Sequence, residues 1–272
     1  MKKTISLFSL LFLLSFSTLL SAVEPRPLEP VTLQLKWKAQ FQFAGYYAAL
    51  EQGYFAQEGL DVSILPLTKP KNIINAVVTG KINYAIGGSG ILAQYAKGKP
   101  IKALAAIFQH DALVFIAKQS SGIISPYEMT DKRIMFDGTT GDDAPLTAML
   151  ADTGLSPKDY INIPPSFSNQ TLINNETDIM SGYLTDQPFS LKAQGIDINI
   201  INPQNYGFDF YGDILYTSDL EIENNPGRVE RFKRASLKGW EYALAHPEEL
   251  IQVLKNKYHS ELSIEALRYE AQ

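Results

Sequence analysis

The sequence predicts an α/β protein with two α/β lobes, a ligand cleft between them and two crossovers of the chain. Three observations support this fold class. From Val31 onward, short apolar runs alternate with helical segments, and several of the helical segments end at a glycine. The alternation forms two sets, joined by extended segments near residues 115–122 and 203–212. Alternating strands and helices also imply parallel sheets covered on both faces, and a cleft between lobes is where small ligands sit.

The first lobe is expected to begin at residue 31 and to reach about residue 116. Its predicted strands are VTLQLKW, LDVSILPL, INYAIGG, IKALAAIF and ALVFIAK. The first of these places alternate apolar residues on one face, namely Val31, Leu33, Leu35 and Trp37. A helix over 45–52 with Gly53 at its C-terminal cap follows, and NIINAVVTG and GILAQYAKG are two further helices.

The second lobe is expected to span about 117–212. Its predicted strands are RIMFDG, YINIPP, TDIMSGYL and IDINIIN. A helix over 142–152 opens with acidic residues, another lies between YINIPP and TDIMSGYL, and a third covers 186–194. The chain then returns through YGDILYTS to a long helix over 226–245, so residues 213–272 are assigned to the first lobe.

The N-terminus predicts export. Lys2 and Lys3 precede an apolar run from residue 5 to residue 20, and Ala22 is a small residue suited to a cleavage site. We therefore interpret residues 1–22 as a secretory signal peptide that is cleaved after Ala22. An uncleaved membrane anchor remains an alternative, because the run approaches the ~17 apolar residues needed to cross a bilayer.

Charge and cysteine content exclude several classes of protein. Without Lys2 and Lys3, the 24 basic residues fall to 22 against 29 acidic residues, which leaves a net charge of −7. That balance argues against nucleic acid or anionic lipid as a partner. The chain contains no cysteine, so it has no disulfide, no thiol nucleophile and no thiolate metal site.

The sequence also offers little for catalysis or metal binding. The three histidines are too few and too widely spaced for a metal site, and His246 and His259 lie among charges on C-terminal helices. His110 follows one strand and precedes the next, where it can face a cleft or belong to an ordinary turn. No G-x-S-x-G motif and no spaced acid–base pair occurs. We predict a protein without catalytic residues, without a metal site and without a cofactor.

A glycine-rich turn raises the question of anion binding. Gly87, Gly88, Ser89 and Gly90 precede a helix, where backbone N–H groups attract polar ligand atoms. No Walker lysine follows, so ligand contact and a tight strand-to-helix turn both remain open. The corresponding turn of the second lobe, FDGTTGDDAPL, carries Asp142 and Asp143 as N-cap and first-turn charges, which disfavours a bound phosphate there.

Aromatic residues are concentrated just after the first strand. Trp37 ends this strand, and Phe41, Phe43, Tyr46 and Tyr47 fall in the loop and the first helical turn. In parallel α/β sheets, ligands bind at this carboxyl end of the strands, and aromatic rings there can stack on flat heterocycles. The pattern alone leaves a core and a ligand clamp as equal alternatives.

The same stretch, LQLKWKAQFQFAGYYAALEQGYFAQEGLDVSI, resembles the opening of the NMT1/THI5-like proteins. Further similar segments are GKINYAIGG, YAKGKPIKALAAIFQ, GYLTDQPFSLKAQG, YGFDFYGDILYTS and NPGRVERFKRASLKGWEYALAHPEE. The resemblance covers residues 31 to about 270 and implies the type 2 periplasmic-binding-protein fold. The family includes exported solute-binding proteins of ABC importers, which capture pyrimidine precursors of thiamine. It also includes the thiamine pyrimidine synthases of fungi, and similar domains serve as sensors of histidine kinases and diguanylate cyclases.

This chain departs from the synthases. Their lysine and histidine are replaced by GGSGI after INYAI, and YGFDFYGD stands where they have a cysteine-rich iron motif. The resemblance therefore implies a periplasmic, non-enzymatic binding protein for a small planar heterocycle of the hydroxymethylpyrimidine type. Its expected partners are this ligand and an ABC permease or a membrane-bound signalling module. The alternatives are a thiamine pyrimidine synthase and a sensor input domain.

The resemblance also implies the ligand-binding positions. They are Trp37, Gln40, Phe43, Tyr46, Gly88, Ser89, His110, Gly138, Tyr183, Asp186 and Asp213. Phe43 stands where some family members carry histidine. The final segment, SIEALRYEAQ, resembles the start of a helix that family members continue, so we expect either a short member or a truncated chain.

Overall fold

The structure is a computed structural model, and it describes residues 27–67, 72–138, 143–166 and 168–272. The predicted signal peptide and Asp142 of the predicted acidic helix start lie outside these residues. Within the described ranges, no helix combines the length and the apolar character needed to cross a bilayer.

The strands follow the predicted order along the chain. They are β1 (Glu29–Gln34), β2 (Leu60–Leu65), β3 (Tyr84–Gly87), β4 (Ile101–Phe108), β5 (Leu113–Lys118), β6 (Arg133–Met135), β7 (Ile161–Ile163), β8 (Ile179–Tyr183), β9 (Ile198–Ile201) and β10 (Gly212–Ser218). The alternation of apolar residues explains why β1 is a strand, because Val31, Leu33 and the following Leu35 are all buried on one face.

The helices occupy most of the segments between these strands. They are α1 (Ala44–Glu51), α2 (Tyr54–Gln57), α3 (Ile73–Val78), α4 (Gly90–Ala96), α5 (Ala144–Asp152), α6 (Gln170–Ile173), α7 (Gln187–Ala193), α8 (Asp219–Asn224), α9 (Pro226–Ala245), α10 (Pro247–Asn256) and α11 (Ile264–Glu270). Short 3₁₀ turns lie at Phe41–Phe43, Gln119–Ser121, Pro126–Glu128 and Pro203–Tyr206. Gly53 adopts φ = 69° directly after α1 and Gln52, as the predicted glycine cap requires.

The strands form two five-stranded sheets, in the orders β2-β1-β3-β10-β4 and β7-β6-β8-β5-β9. We call each sheet with its helices a lobe. Both sheets are mixed, which corrects the expectation of parallel sheets. β10 runs antiparallel to β3 and β4, and β5 runs antiparallel to β8 and β9. These are the two strands that enter a sheet directly from the other lobe, so no helical crossover imposes a parallel direction on them.

The first crossover lies earlier than predicted. Because β4 belongs to the first sheet and β5 to the second, the chain changes lobe at 109–112 and not at 115–122. The run ALVFIAK is a buried strand that pairs with β8 and β9, and its apolar pattern cannot say which sheet it joins. The return crossover occupies 202–211, close to the predicted 203–212.

The core of the first lobe is formed where α9 crosses α1 at close range. A Cβ atom built on Gly239 would lie 2.1 Å from the backbone oxygen of Gly45, so glycine permits this approach. Trp240 covers Gly45, and its ring meets the ring of Tyr46 edge to face with centroids 5.8 Å apart. This packing holds the segment between β1 and α1, which carries the first half of the site.

Candidate functional site

A cavity of about 400 Å³ lies between the two sheets. Its wall is built from segments that follow the carboxyl ends of β1, β3, β6 and β8. The lining residues are Lys36, Trp37, Gln40, Gln42, Leu67, Ile73, Gly88, Leu113, Met135, Asp137, Asp143, Pro165, Ser168, Asn169, Met180, Ser181, Gly182, Tyr183, Asp186 and Gln187. Side chains from both lobes therefore meet at the strand edge where α/β proteins bind ligands.

Among the residues that the structure describes, each lobe contributes one aromatic side chain to this cavity. Trp37 follows β1 in the first lobe, and Tyr183 ends β8 in the second. The backbone oxygen of Trp37 accepts a hydrogen bond of 2.9 Å from the N–H of Leu67, which fixes the loop that carries the indole. Leu113 pairs with Tyr183 in the register of β5 and β8.

Lys36 connects the lobes at the base of the cavity. Its ammonium lies 2.6 Å from Asp213, donates to the hydroxyl of Tyr183 and lies 4.6 Å from the centre of the tyrosine ring. Burial disfavours the lysine charge, but Asp213, Tyr183 and Asp111 outweigh it and hold the pKa of Lys36 well above its ordinary value. Burial raises the pKa of Tyr183, against the effect of Lys36. Lys36 is therefore an ammonium group at neutral pH.

Two glutamine side chains continue this polar network in the first lobe. Gln42 donates its amide to both oxygens of Asp213, at 3.1 and 2.9 Å. Gln40 donates to Glu270 at 2.6 Å and to Gln42 at 3.3 Å. Glu270 also accepts from the N–H of Phe41 at 2.8 Å, so the last helix, α11, holds the start of the 3₁₀ turn. Burial raises the pKa of Glu270 well above its ordinary value, and the charge of Asp186 adds to this effect.

Asp186 supplies a carboxyl group from the second lobe. It stands just before α7, and it accepts hydrogen bonds from Gln187 at 2.8 Å and from Ser190 at 3.4 Å. Burial raises the pKa of Asp186, although hydrogen bonds from Ser190, Gln40 and Gln187 act in the opposite direction. The described wall of the cavity therefore combines two aromatic rings, amide groups, the ammonium of Lys36 and the carboxyl groups of Asp137, Asp143 and Asp186.

A second pocket of about 250 Å³ adjoins the first. The two share Trp37, Gln40, Ser168, Asn169, Asp186 and Gln187. The remaining wall of the second pocket consists of Lys38, Ala39, Ser190, Ser260, Glu261 and Leu262. The loop between α10 and α11 thus forms one side of it.

Comparison with known proteins assigns the family. The family model described as NMT1/THI5 like matches residues 40–250. The chain belongs to the NMT1/THI5-like family. The alkanesulfonate-binding protein SsuA from Xanthomonas axonopodis pv. citri, solved with MOPS, has the same fold at a TM-score of 0.71 and 14% identity. That superposition covers 90% of this chain and 84% of the SsuA chain.

Three relatives illustrate the range of the NMT1/THI5-like family. The formylaminopyrimidine-binding protein of Halalkalibacterium halodurans is 28% identical over 91% of this chain and 76% of its own. The riboflavin-binding protein RibY of Chloroflexus aurantiacus is 27% identical over 82% of this chain, but the match spans only 64% of RibY. A 4-amino-5-hydroxymethyl-2-methylpyrimidine phosphate synthase of Candida albicans is 27% identical over 80% of this chain and 68% of the synthase.

Five of the positions implied by the NMT1/THI5-like resemblance line the main cavity. They are Trp37, Gln40, Gly88, Tyr183 and Asp186. Asp213 lies directly behind the wall, where it is almost fully buried and holds both Lys36 and Gln42. Asp213 has φ = 44°, an uncommon backbone conformation for an aspartate.

Two aromatic positions belong to the core and do not line either pocket. Phe43 and Tyr46 are 0% and 1% exposed, in the apolar cluster that includes Trp240. Phe41 and Tyr47 are buried in the same cluster. The 3₁₀ turn and α1 direct these rings against α9 and α10, so four of the five rings are core and Trp37 alone among them lines the cavity.

Three further positions also lie outside the two pocket walls. Ser89 precedes α4 and is 4% exposed, and within the part of the chain that the structure describes its hydroxyl has no hydrogen-bond partner. His110 lies in the first crossover, where its exposed ring is 2.7 Å from Asp209. Gly138 is exposed at the end of a described range. Asp143, predicted as a first-turn charge of α5, instead accepts a hydrogen bond from the N–H of Asp137 at 2.6 Å and lines the cavity.

Sequence reasoning missed Lys36, Gln42, Gln187 and Glu270 as parts of the site. Alternation could have indicated Lys36, because it follows Leu35 and therefore points away from the core face of β1. Gln42 lies between the buried Phe41 and Phe43, so alternation could have indicated this polar side chain in the same way. No local pattern indicates Glu270, which reaches Gln40 across 230 positions of the chain.

Proposed function

We propose that this protein is an exported solute-binding protein that captures a small planar heterocycle in the periplasm and delivers it to an ABC permease. The ligand proposed is a thiamine pyrimidine precursor of the hydroxymethylpyrimidine type. One observation carries the proposal: Trp37 and Tyr183, from different lobes, line one cavity of about 400 Å³. That volume is within the range of small-molecule sites, about 300–1,000 Å³.

The chemistry of the wall suits an aminopyrimidine. A flat ring between two aromatic side chains gains about 0.5–1.5 kcal/mol per aromatic pair beyond the burial of its surface. The Asp186 carboxyl can accept from an exocyclic amino group and, when protonated, donate to a ring nitrogen. Its raised pKa brings that protonated form closer to neutral pH. The amide of Gln187 lies beside it and adds a donor and an acceptor.

Relatives support a binding role. The relatives from Halalkalibacterium halodurans and Chloroflexus aurantiacus are named for binding formylaminopyrimidine and riboflavin, which are both planar heterocycles. Closure of two lobes around a ligand also explains why Lys36 of one lobe contacts Tyr183 of the other. The proposed export, permease and ligand class rest on this likeness together with the cavity.

The test is direct binding. Purified protein, first unfolded and refolded to remove any bound molecule, is titrated calorimetrically with formylaminopyrimidine, with 4-amino-5-hydroxymethyl-2-methylpyrimidine and with riboflavin. Stoichiometric binding of at least one compound, weakened in Trp37→Ala, supports the proposal. Absence of binding by all three, in protein that unfolds cooperatively, contradicts it.

The second candidate is pyrimidine synthesis, because fungal synthases are also relatives. Such an enzyme would use pyridoxal phosphate, which forms an imine only with a neutral amine. The lysine in the described wall of the main cavity that could form this imine is Lys36. Asp213 keeps the side-chain amine of Lys36 protonated. Borohydride treatment with pyridoxal phosphate should leave Lys36 unmodified by mass spectrometry. A reduced pyridoxyl group on Lys36 would favour the synthase.

A further inference from the structure

The second pocket adjoins the main cavity and shares part of its wall. Its floor and the side of the main cavity are formed by the same residues, among them Trp37, Asn169 and Asp186. A ligand whose ring lies in the main cavity can therefore extend a substituent past Trp37 into the second pocket. This argument rests on the proposed function, because the ring must occupy the main cavity first.

The two pockets differ in polarity. Residues that line only the main cavity include several apolar side chains, namely Leu67, Ile73, Leu113, Met135, Pro165 and Met180. The residues that line only the second pocket are mostly polar or charged. A planar apolar ring suits the first environment, whereas the second suits a group that forms hydrogen bonds.

Two side chains in the second pocket have unused hydrogen-bonding capacity. Ser260 is 4% exposed, and its hydroxyl has no hydrogen-bond partner among the described residues. The side-chain amide of Asn169 forms no hydrogen bond within the described part of the chain. Ser190 contributes a hydroxyl whose contact with Asp186 is long, at 3.4 Å. A buried hydroxyl such as that of Ser260 is rarely left without a partner, and the half-buried Asn169 and Ser190 keep polar atoms accessible, so these groups indicate a polar substituent of the ligand.

The charged side chains around the second pocket limit the charge that the substituent can carry. Lys38 and Glu261 form an ion pair of 2.5 Å, so their charges compensate each other. Asp186, shared by both pockets, adds an acceptor when ionised. A negatively charged group such as a phosphate would meet the carboxyl group of Asp186, whereas hydroxyl and amide groups can donate to it.

We infer that the ligand has two parts, a planar ring in the main cavity and an uncharged hydroxylated or amide-bearing arm in the second pocket. Asn169 and Ser260 are assigned to the arm, and Trp37 separates the two parts. The second pocket thereby becomes a specificity site that distinguishes substituted heterocycles from the bare ring.

Matched ligand pairs test this inference. Formylaminopyrimidine is compared with 4-amino-2,5-dimethylpyrimidine, which lacks the amide arm, and riboflavin with lumiflavin, which carries a methyl group in place of the polyol. Affinities are measured calorimetrically for the wild type, Asn169→Ala and Ser260→Ala. In a pair whose ring binds, the ligand that carries the polar arm should bind to the wild type more tightly than the ligand without it. Each substitution should reduce that advantage by about two- to tenfold, the value of one hydrogen bond, because it weakens binding of the ligand with the arm more than binding of the ligand without it.

Ser236→Ala is the control, because Ser236 is another buried serine without a hydroxyl partner, located in α9. It should leave the ratio of the two affinities unchanged. Equal affinities of armed and armless ligands, or a ratio that neither Asn169→Ala nor Ser260→Ala alters, would overturn the two-part ligand while leaving ring binding intact. Failure of every ring to bind would overturn the proposed function as well, so the two failures are distinguishable.

Discussion

Lys36 and Tyr183 belong to different lobes, and the ammonium of the lysine donates a hydrogen bond to the tyrosine hydroxyl. Asp213, 2.6 Å from the same ammonium, stands one residue after β10 begins, next to the return crossover. A cation, its counterion and an aromatic hydroxyl thus connect both lobes at the base of one cavity. Substitutions at and around this cavity should therefore have measurable effects on ligand binding and on stability.

Trp37 should report ligand binding. The chain has two tryptophans, and the second, Trp240, is buried against Gly45 and Tyr46 in the core. A heterocycle that stacks on Trp37 should change its fluorescence emission. Trp37→Ala should remove the change and weaken binding by up to about tenfold through the lost aromatic contact alone.

The control for this measurement is Trp240→Phe, which keeps an aromatic ring in the core. It should retain both the affinity and the ligand-induced change in emission. If emission changes equally in the wild type and in Trp37→Ala, the signal arises elsewhere and Trp37 does not contact the ligand.

Asp213→Asn should strongly destabilise the protein. Asp213 is 1% exposed, and its replacement leaves the buried ammonium of Lys36 without its counterion. Loss of one partner of a buried ion pair lowers the free energy of unfolding by about 3–5 kcal/mol. Urea denaturation followed by circular dichroism measures this difference.

Glu230→Gln is the matched control, because Glu230 forms an exposed pair with Lys233 at 3.0 Å. Its replacement should change the free energy of unfolding by less than about 1 kcal/mol. A stability of Asp213→Asn within that same margin would show that Lys36 does not depend on Asp213.

Glu270 should make stability depend on pH. Its pKa is higher in the folded protein, so the folded state binds more protons than the unfolded state. The resulting stabilisation is complete below the unfolded pKa near 4.5 and is lost as pH rises toward the folded value. Relative to Glu270→Gln, the wild type should therefore become progressively less stable between about pH 4.5 and pH 7 in urea titrations.

Glu248→Gln should show the opposite trend. The hydrogen bond from Arg268 lowers the pKa of Glu248, so its contribution is present above the unfolded pKa and is lost as pH falls. A wild type that keeps or gains stability relative to Glu270→Gln as pH rises would refute the raised pKa of Glu270.

Gly239→Ala should destabilise the first lobe. The added Cβ would lie 2.1 Å from the backbone oxygen of Gly45 and 2.6 Å from Ala49, so α1 and α9 must separate. Forcing a methyl group into such packing costs about 1–3 kcal/mol. Gly227→Ala lies in the same helix with no atom within 4 Å of its Cβ, and it should be neutral or stabilising by up to about 1 kcal/mol. Thermal denaturation measures the melting temperatures of both variants. Equal melting temperatures would contradict the close contact between α1 and α9.

Local sequence patterns predicted much of the fold. The long helix was expected over 226–245, and α9 has those bounds. Pro226 at its first turn and the alternation of β1 are signals between neighbouring residues, so they are readable without the tertiary structure. The family resemblance added five of the cavity positions, of which Trp37 and Tyr183 carry the proposed function.

The sequence by itself determined the two-lobed α/β class and the order of the strands and helices, because periodicity and turn chemistry act over a few residues. The family was indicated by the resemblance of whole segments to known proteins. Only the tertiary structure decided that Phe43 and Tyr46 pack in the core while Trp37 lines the cavity. It also decided that β5 joins the second sheet and that Glu270 holds Gln40. These outcomes depend on which distant segments pair, and an apolar or acidic side chain has the same local signature wherever its partner lies in the chain.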